Sequence, residues 1–233
     1  MNPKQRAAEA ALDELRDGMT VGLGSGSTSE CFIDALGAAL KAKRLRGLRC
    51  VATSVNSETR ATKLGIEVIS LAEAKQIDVT IDGADEIDPA LNLIKGLGGA
   101  LLREKIVAQN SRRLVIIADE SKRVAKLGTK SPLPVEVIQF GFESHESFLR
   151  TLGCEPSLRR RADGEPYVTD NHNYIYDCRF DGIDQPAALE MALRKRAGIV
   201  ESGLFVGMAK LALVADGSGV QRIEAHSAPS KAT

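Results

Sequence analysis

The sequence carries no excess charge of either sign: Lys and Arg number 31 together, and so do Asp and Glu. No global field therefore draws the chain to nucleic acid or to an anionic membrane, and any anion it binds must be held locally. Cysteines are few and scattered. Cys31, Cys50, Cys154 and Cys178 include no C-x-x-C pair, which argues against a zinc ribbon, a redox motif or a disulfide framework and fits reduced thiols in the cytosol. Long apolar runs are missing too. "MNPKQRAAEAALDELRDG" lacks the apolar core of a signal peptide, and "LVIIA" at 114–118 is far too short to cross a bilayer. The expectation is a cytoplasmic protein with no membrane partner. The three histidines make no ligand set: His145-Glu146 is followed by Leu149 where H-E-x-x-H needs histidine, and His172 and His226 have no partner at ligand spacing. There is no G-x-S-x-G elbow, no internal repeat and no low-complexity segment.

What the chain does have is enough apolar residues, 43% of 233, to bury a real core. Pro3, then Ala7, Ala8, Ala11, Leu12 and Leu15 at helical spacing, then Gly18 as a stop, describe a first amphipathic helix. A strand over 20–23 follows. Ser27 and Glu30 have capping-box spacing ahead of a helix whose inner face is Ile33, Leu36 and Leu40. Strands at 49–54, 66–71, 77–82 and 114–118 alternate with helices around 57–64 and 99–110. This rhythm predicts an α/β, Rossmann-like, mostly parallel sheet with helices on both faces. Beyond "SPLPVEV" it changes to strand 135–140, helix 144–152, strand 156–161, strand 173–180, helix 186–196 and strand 199–206. That order predicts a smaller α+β, ferredoxin-like unit. Pro132 and Pro134 punctuate the boundary, and 210–224 reads as a closing hairpin that returns to the first sheet. The expected organisation is a catalytic domain of 1–131 with 208–226, a small domain of 132–207, and a frayed tail at 227–233.

Ligands of parallel sheets sit beyond the carboxyl ends of the strands. Two loops there are chemically suggestive. In "VGLGSGSTSE", Gly22, Gly24 and Gly26 separate a strand from a helix, so backbone amides can be aimed at an anion on the helix N-terminus. Ser27 breaks the G-x-G-x-x-G fingerprint and no lysine follows as in a P-loop. Ser25, Ser27 and Thr28 offer hydroxyl donors instead, which suits a phosphate monoester. The plainer alternative is a tight turn with Ser27 capping the helix.

The second loop, "TIDGADEID", sets four carboxylates, Asp82, Asp85, Glu86 and Asp88, behind a strand. Gly83 allows a sharp turn from which Asp82 and Asp85 face the cleft, while Glu86 and Asp88 are expected on the outer, solvated side. As a calcium loop the stretch fails, because counting from Asp78 puts Pro89 where the bidentate Glu belongs. Magnesium on Asp82 and Asp85 is the lesser reading, since Lys95 competes for the same charge. "LIKGLGGALLREKIVAQN" then supplies Lys95, a Gly-Gly turn and a helix bearing Glu104. Glu104 could simply be a solvated member of a charged helix. The preceding turn would bring it to the cleft, however, and a carboxylate, a cation and two further acids beside a phosphate cradle make a proton-transfer kit. Lys122, in "ADESK" after another strand, can reach the same rim.

In their order, "GLGSGST", "DGADEID", "KGLGGALLREKIVA", "ADESK", "LPVEV", "TDNHNYIYD" and "GIVESGLF" resemble the A-type ribose-5-phosphate isomerases over nearly the whole chain. The resemblance implies aldose–ketose isomerisation of D-ribose 5-phosphate and D-ribulose 5-phosphate in the non-oxidative pentose phosphate pathway. It implies no metal or organic cofactor, a small-molecule sugar phosphate as partner, and a homodimer or dimer of dimers. It makes Glu104 the base that moves a proton between C1 and C2 through an enediolate. Asp82 and Asp85 would contact sugar hydroxyls and shuttle protons, and Lys95 would stabilise charge on the substrate oxygen. The implied substrate-binding positions are Ser25, Gly26, Ser27 and Thr28; Asp82, Gly83, Ala84 and Asp85; Lys95, Gly96, Leu97 and Gly98; and Lys122. Leu97 and His172 stand where the family commonly has glycine, and Ser25 where threonine is common. The rival readings are a non-catalytic sugar-phosphate sensor and a related-scaffold enzyme, such as an amino-sugar-phosphate deaminase or a CoA transferase.

Overall fold

The computed structural model describes residues 2–225. The chain begins with α1 (Pro3–Ala11), β1 (Thr20–Leu23), α2 (Ser27–Lys41), β2 (Arg49–Ala52), α3 (Val55–Lys63), α4 (Leu71–Ala74) and β3 (Val79–Asp82). Next come β4 (Glu86–Ile87), β5 (Leu93–Ile94), α5 (Leu101–Gln109) and β6 (Leu114–Asp119). The middle of the chain supplies β7 (Leu133–Val137), α6 (Ser144–Thr151), β8 (Glu155–Leu158), β9 (Tyr174–Arg179), α7 (Pro186–Arg194) and β10 (Ile199–Ser202). Two-residue β11 (Leu204–Phe205) and the hairpin β12 (Ala209–Ala215) and β13 (Val220–Glu224) close the described chain.

The principal sheet has the order β13-β12-β6-β3-β1-β2 and is parallel except for β13, which pairs antiparallel with β12. The hairpin at 210–224 thus returns to the first sheet as expected. Side chains of β6 alternate between two cores. Val115 and Ile117 pack in the cluster that includes Phe32, Ile33 and Leu36 of α2, whereas Leu114, Ile116 and Ala118 join Ala108 of α5 and Phe205 on the opposite face. The near-continuous burial of "VTID" and "LVIIA" is the signature of parallel strands covered on both faces.

A second, antiparallel sheet has the order β10-β7-β9-β8 and packs Leu133, Val135, Val137, Tyr176 and Cys178 against Leu149 of α6 and Leu193 of α7. With α6 and α7 as its crossovers, this is the βαββαβ arrangement expected from the sequence. A third sheet, β11-β5-β4, is small.

Several local expectations are corrected. The stretch 66–71 is no strand: only Val68 bridges to Cys50, and α4 already starts at Leu71, capped by Ser70 with Glu73 completing the box. The run 199–206 divides at Gly203 into β10 and β11, which enter different sheets. A Cβ at Gly203 would lie 2.1 Å from the Lys95 carbonyl oxygen, so the chain can change sheets there only without a side chain. β7 ends at Val137, and Phe140 is 90% exposed beyond it. Pro134 is part of β7, opposite Asp177. The expected tail at 227–233 lies outside the described residues.

Candidate active site

β6, β3 and β1 lie side by side, and the chain leaves β1 for β2 on one flank and reaches β3 on the other. Their carboxyl ends therefore meet at a topological switch point, where an open α/β sheet leaves a crevice. Gly24 follows β1, Asp82 ends β3, and a short helical turn ending at Lys122 follows β6. A cleft of ≈ 440 Å³ opens at this point. It is lined by Ser25, Gly26, Ser27, Thr28, Gly83, Ala84, Asp85, Lys95, Gly96, Gly98, Glu104 and Lys122. Every site residue expected from the sequence is in that lining except Asp82 and Leu97.

The glycine turn is built against the acid loop. The Gly24 N–H donates to the Ile81 carbonyl, and a Cβ at Gly24 would stand 2.0 Å from Asp82 Oδ1. The turn can thus lie directly on β3 only because this residue has no side chain. Gly26, at φ +92°, precedes α2, and no side chain caps that helix. Ser27 is its first residue rather than its cap, so the capping box with Glu30 does not form, and the opening amides of α2 face the cleft uncapped. Two of the loop hydroxyls have partners of their own. Ser25 Oγ donates to Ser54 Oγ at 2.7 Å and sits among Thr53 and Ser57, so its hydroxyl braces the turn. Ser27 Oγ accepts from Lys4 Nζ at 2.8 Å. Lys4, on α1, brings a cation to the cradle that nothing in its local sequence signals. Lys122 forms no ion pair among the described residues.

At the other end three charged groups are buried together. Lys95, 2% exposed, donates to Glu104 Oε1 at 3.0 Å and to the Gly83 carbonyl at 2.6 Å, and lies 3.0 Å from Asp82 Oδ2. Its ammonium also stands 5.5 Å from the centre of the Phe205 ring. Asp82, 1% exposed, sits behind the lining. Its Oδ1 accepts from the Ser25 and Gly83 amides and from Ser29 Oγ. Glu104, in the first turn of α5, is 4% exposed, and its Oε2 has no hydrogen-bond partner. Burial pushes its carboxyl up to about 8; Lys95 pulls against that rise, and the Asp82 charge adds to it. Lys95 is held protonated well above the usual lysine range, because Asp82 and Glu104 outweigh its own burial. Asp85 lines the cleft and accepts from the Leu97 amide at 3.0 Å, while the Leu97 side chain points away, 40% exposed.

The outer acids separate. Asp88 is partly exposed and accepts from Ala90 and Asn92, organising its own turn. Glu86, expected in solvent, is fully buried, and its carboxylate accepts from the Gly128, Lys130 and Ser131 amides. Lys105, beside Glu104 in sequence, is also buried. It bonds Glu190, Glu201 and the Ser202 carbonyl, tying α5 to α7 and β10. Among the described residues no group of three or more His, Cys, Asp or Glu could hold a metal ion, and no helix is long and apolar enough to cross a membrane.

The family model described as "Ribose 5-phosphate isomerase A (phosphoriboisomerase A)" matches residues 49–219. The chain belongs to the ribose 5-phosphate isomerase A family. Ribose-5-phosphate isomerase A of Synechococcus sp. (strain JA-3-3Ab) is 47% identical over 221 residues, covering 94% of this chain and 96% of the relative. That of Desulfatibacillum aliphaticivorans is 47% identical over 222 residues, covering 95% and 96%. Among solved structures, a D-ribose-5-phosphate isomerase in complex with phospho-erythronic acid superposes with a TM-score of 0.94 at 37% identity, covering 96% of this chain and all of that one. The Plasmodium falciparum ribose 5-phosphate isomerase gives 0.91 at 40% identity, covering 95% and 97%. In this family member, His172 has φ +61°, the left-handed backbone that glycine adopts freely.

Proposed function

We propose that the protein interconverts D-ribose 5-phosphate and D-ribulose 5-phosphate, in the cytoplasm, as a step of the non-oxidative pentose phosphate pathway. The observation that carries this reading is the buried Glu104 carboxylate, with one oxygen held by Lys95 and the other unpartnered at a cleft whose far end is an uncapped helix N-terminus flanked by Lys4 and Lys122. The phosphate rests on the amides of Gly26, Ser27 and Thr28, with Lys122 and Lys4 countering its charge. The open-chain sugar then extends toward Glu104.

Glu104 removes the proton from C2 of the aldose, and the electron pair moves through C1 to its carbonyl oxygen, giving an enediolate. The hydroxyl proton on O2 passes to O1, with Asp85 at the cleft wall as shuttle. Glu104 returns its proton to C1, leaving the ketone at C2. Protons balance and no hydride moves, so the chemistry needs no redox cofactor. Lys95 donates to Gly83 and Glu104 and forms an ion pair with Asp82 in the resting site. When Glu104 takes up its proton, its hold on the ammonium weakens, and that charge becomes available to the enediolate oxygen. Asp82, behind the lining, acts by fixing Lys95. Phospho-erythronic acid, bound by a relative, fits the same reading, since a carboxylate shares the planarity and negative charge of an enediolate. Assembly as a homodimer or dimer of dimers is part of this proposal.

The test is to incubate purified protein with ribose 5-phosphate in EDTA and follow ribulose 5-phosphate. Conversion is expected. Binding without conversion would make the protein a sugar-phosphate sensor instead.

A further inference from the structure

Arg159, the residue after β8, lies in no part of the site described above, yet its side chain reaches the loop between Lys95 and α5. One of its terminal nitrogens, Nη1, donates to the Gly96 carbonyl and to the Leu97 carbonyl, each at 3.1 Å. The rest of the fork is engaged by Asp177 of β9, with Nε donating to Oδ2 at 2.9 Å and Nη2 to Oδ1. The guanidinium also packs 5.7 Å from the centre of the Tyr167 ring. Tyr167 in turn fills the space beside Gly99, where a Cβ would stand 2.2 Å from its hydroxyl oxygen. Only 13% of the Arg159 side chain is exposed.

The consequence follows from peptide geometry. No described peptide bond is cis, so in each planar unit the N–H points opposite to the C=O. A hold on the Gly96 oxygen turns the Leu97 N–H the other way, and there it donates to Asp85 at 3.0 Å. A hold on the Leu97 oxygen likewise turns the Gly98 N–H away from Arg159, and Gly98 lines the cleft. The Gly96 oxygen also accepts from the Gly99 amide at 3.0 Å, but the glycines on either side of Leu97 leave the Leu97–Gly98 peptide little intrinsic preference for its orientation. Arginine suits the task because its planar fork can serve a carboxylate and two carbonyls at once, which lysine cannot.

We propose that Arg159 is a positioning residue for the isomerisation: through the Gly96 and Leu97 carbonyls it orients the Leu97 amide onto Asp85 and the Gly98 amide toward the sugar. This rests on the function proposed above. Arg159 touches neither the phosphate cradle nor Lys122, so its loss separates turnover from phosphate binding. In Arg159→Ala, kcat for ribose 5-phosphate is expected to fall about 10- to 100-fold, while inhibition by inorganic phosphate stays at the wild-type level. Millimolar guanidinium should restore part of the lost turnover by refilling the slot beside Asp177, and Arg159→Lys should remain impaired. In the ligand-free variant, hydrogen exchange at the Leu97 amide is expected to quicken, with β6 exchanging as in wild type. Wild-type turnover by Arg159→Ala, or phosphate inhibition that weakens in step with turnover, would overturn the proposal. Unchanged exchange at Leu97 would also overturn it, and that readout decides the matter even if the wild-type protein proves inactive on ribose 5-phosphate. If Arg159→Ala does not fold, Arg159→Lys carries the same kinetic and exchange measurements.

Discussion

Replacing Glu104 with Gln removes one ionisable group and leaves the shape of the site. The variant keeps an oxygen for Lys95 but cannot accept a proton from carbon, so kcat is expected to fall by about 10²- to 10⁴-fold, the usual worth of a general base, with KM little changed. A second, independent readout is stability. Burial raises the Glu104 carboxyl from 4.5 to about 8, which means the fold prefers the protonated form. The resulting stabilisation is fully present below about pH 4.5 and is lost as pH rises through about 8. Each tenfold gap in proton affinity is worth about 1.4 kcal/mol, so the whole gap is on the order of 5 kcal/mol. Gln has no such proton. Measured by urea unfolding from about pH 4 to about pH 9, the stability of the variant relative to wild type should therefore improve with pH by up to that amount. In the wild type, kcat/KM should climb with pH toward about 8 as the base ionises. Near-normal kcat in Glu104→Gln would refute the role of the base. A stability difference that stays flat with pH would refute the burial argument beneath it.

Three further outcomes follow from other parts of the structure. Lys122→Ala should raise KM for the sugar phosphate roughly 10-fold or more while largely sparing kcat, because one charge-assisted contact to phosphate is lost; an unchanged KM in steady-state assays would remove Lys122 from the cradle. Glu86→Ala should cost on the order of 3 kcal/mol in urea unfolding, since the amides of Gly128, Lys130 and Ser131 lose their common acceptor; a loss below about 1 kcal/mol would mean water replaces it freely. At φ +61°, His172→Val should destabilise by about 1–2 kcal/mol and His172→Gly should not; equal melting temperatures for the two variants would show that the turn relaxes.

How much of this was legible beforehand depended on how far each residue's partners lie along the chain. The mostly parallel sheet could be read because its strands are short apolar runs with helices between them, and the βαββαβ order followed from spacing alone. The two glycine turns and the acids beside them announced the crevice, since a turn that lies against a neighbouring strand must shed its side chains, as Gly24 does over Asp82. Glu86 misled because its acceptors' partners are amides at 128–131, and an acid clamped by distant backbone looks in sequence like an acid in water. The bracing of Ser25 was hidden for a similar reason: its hydroxyl contacts Thr53, Ser54 and Ser57 at the start of another helix. The apolar run at 66–71 resembled a strand, but Ser70 and Glu73 supply a capping box that starts a helix instead. Lys4 and Arg159 carry no local signal at all; each matters through a contact with a loop far from it in sequence.

The passage at Gly203 has a bearing on how the protein comes into being. The Lys95 amide donates to the Gly203 carbonyl, β5 finds its partner in β11, and the ring beside the Lys95 ammonium is Phe205. A nascent chain leaving the ribosome already contains Asp82, Lys95, Glu104 and Lys122 when Gly203 and Phe205, about eighty residues further on, are still to be translated. During that interval Lys95 has neither the Gly203 carbonyl for its amide nor the Phe205 ring beside its ammonium. The charged residues of the cleft are made early, but the cluster they form is completed only when almost the last of the described chain has arrived.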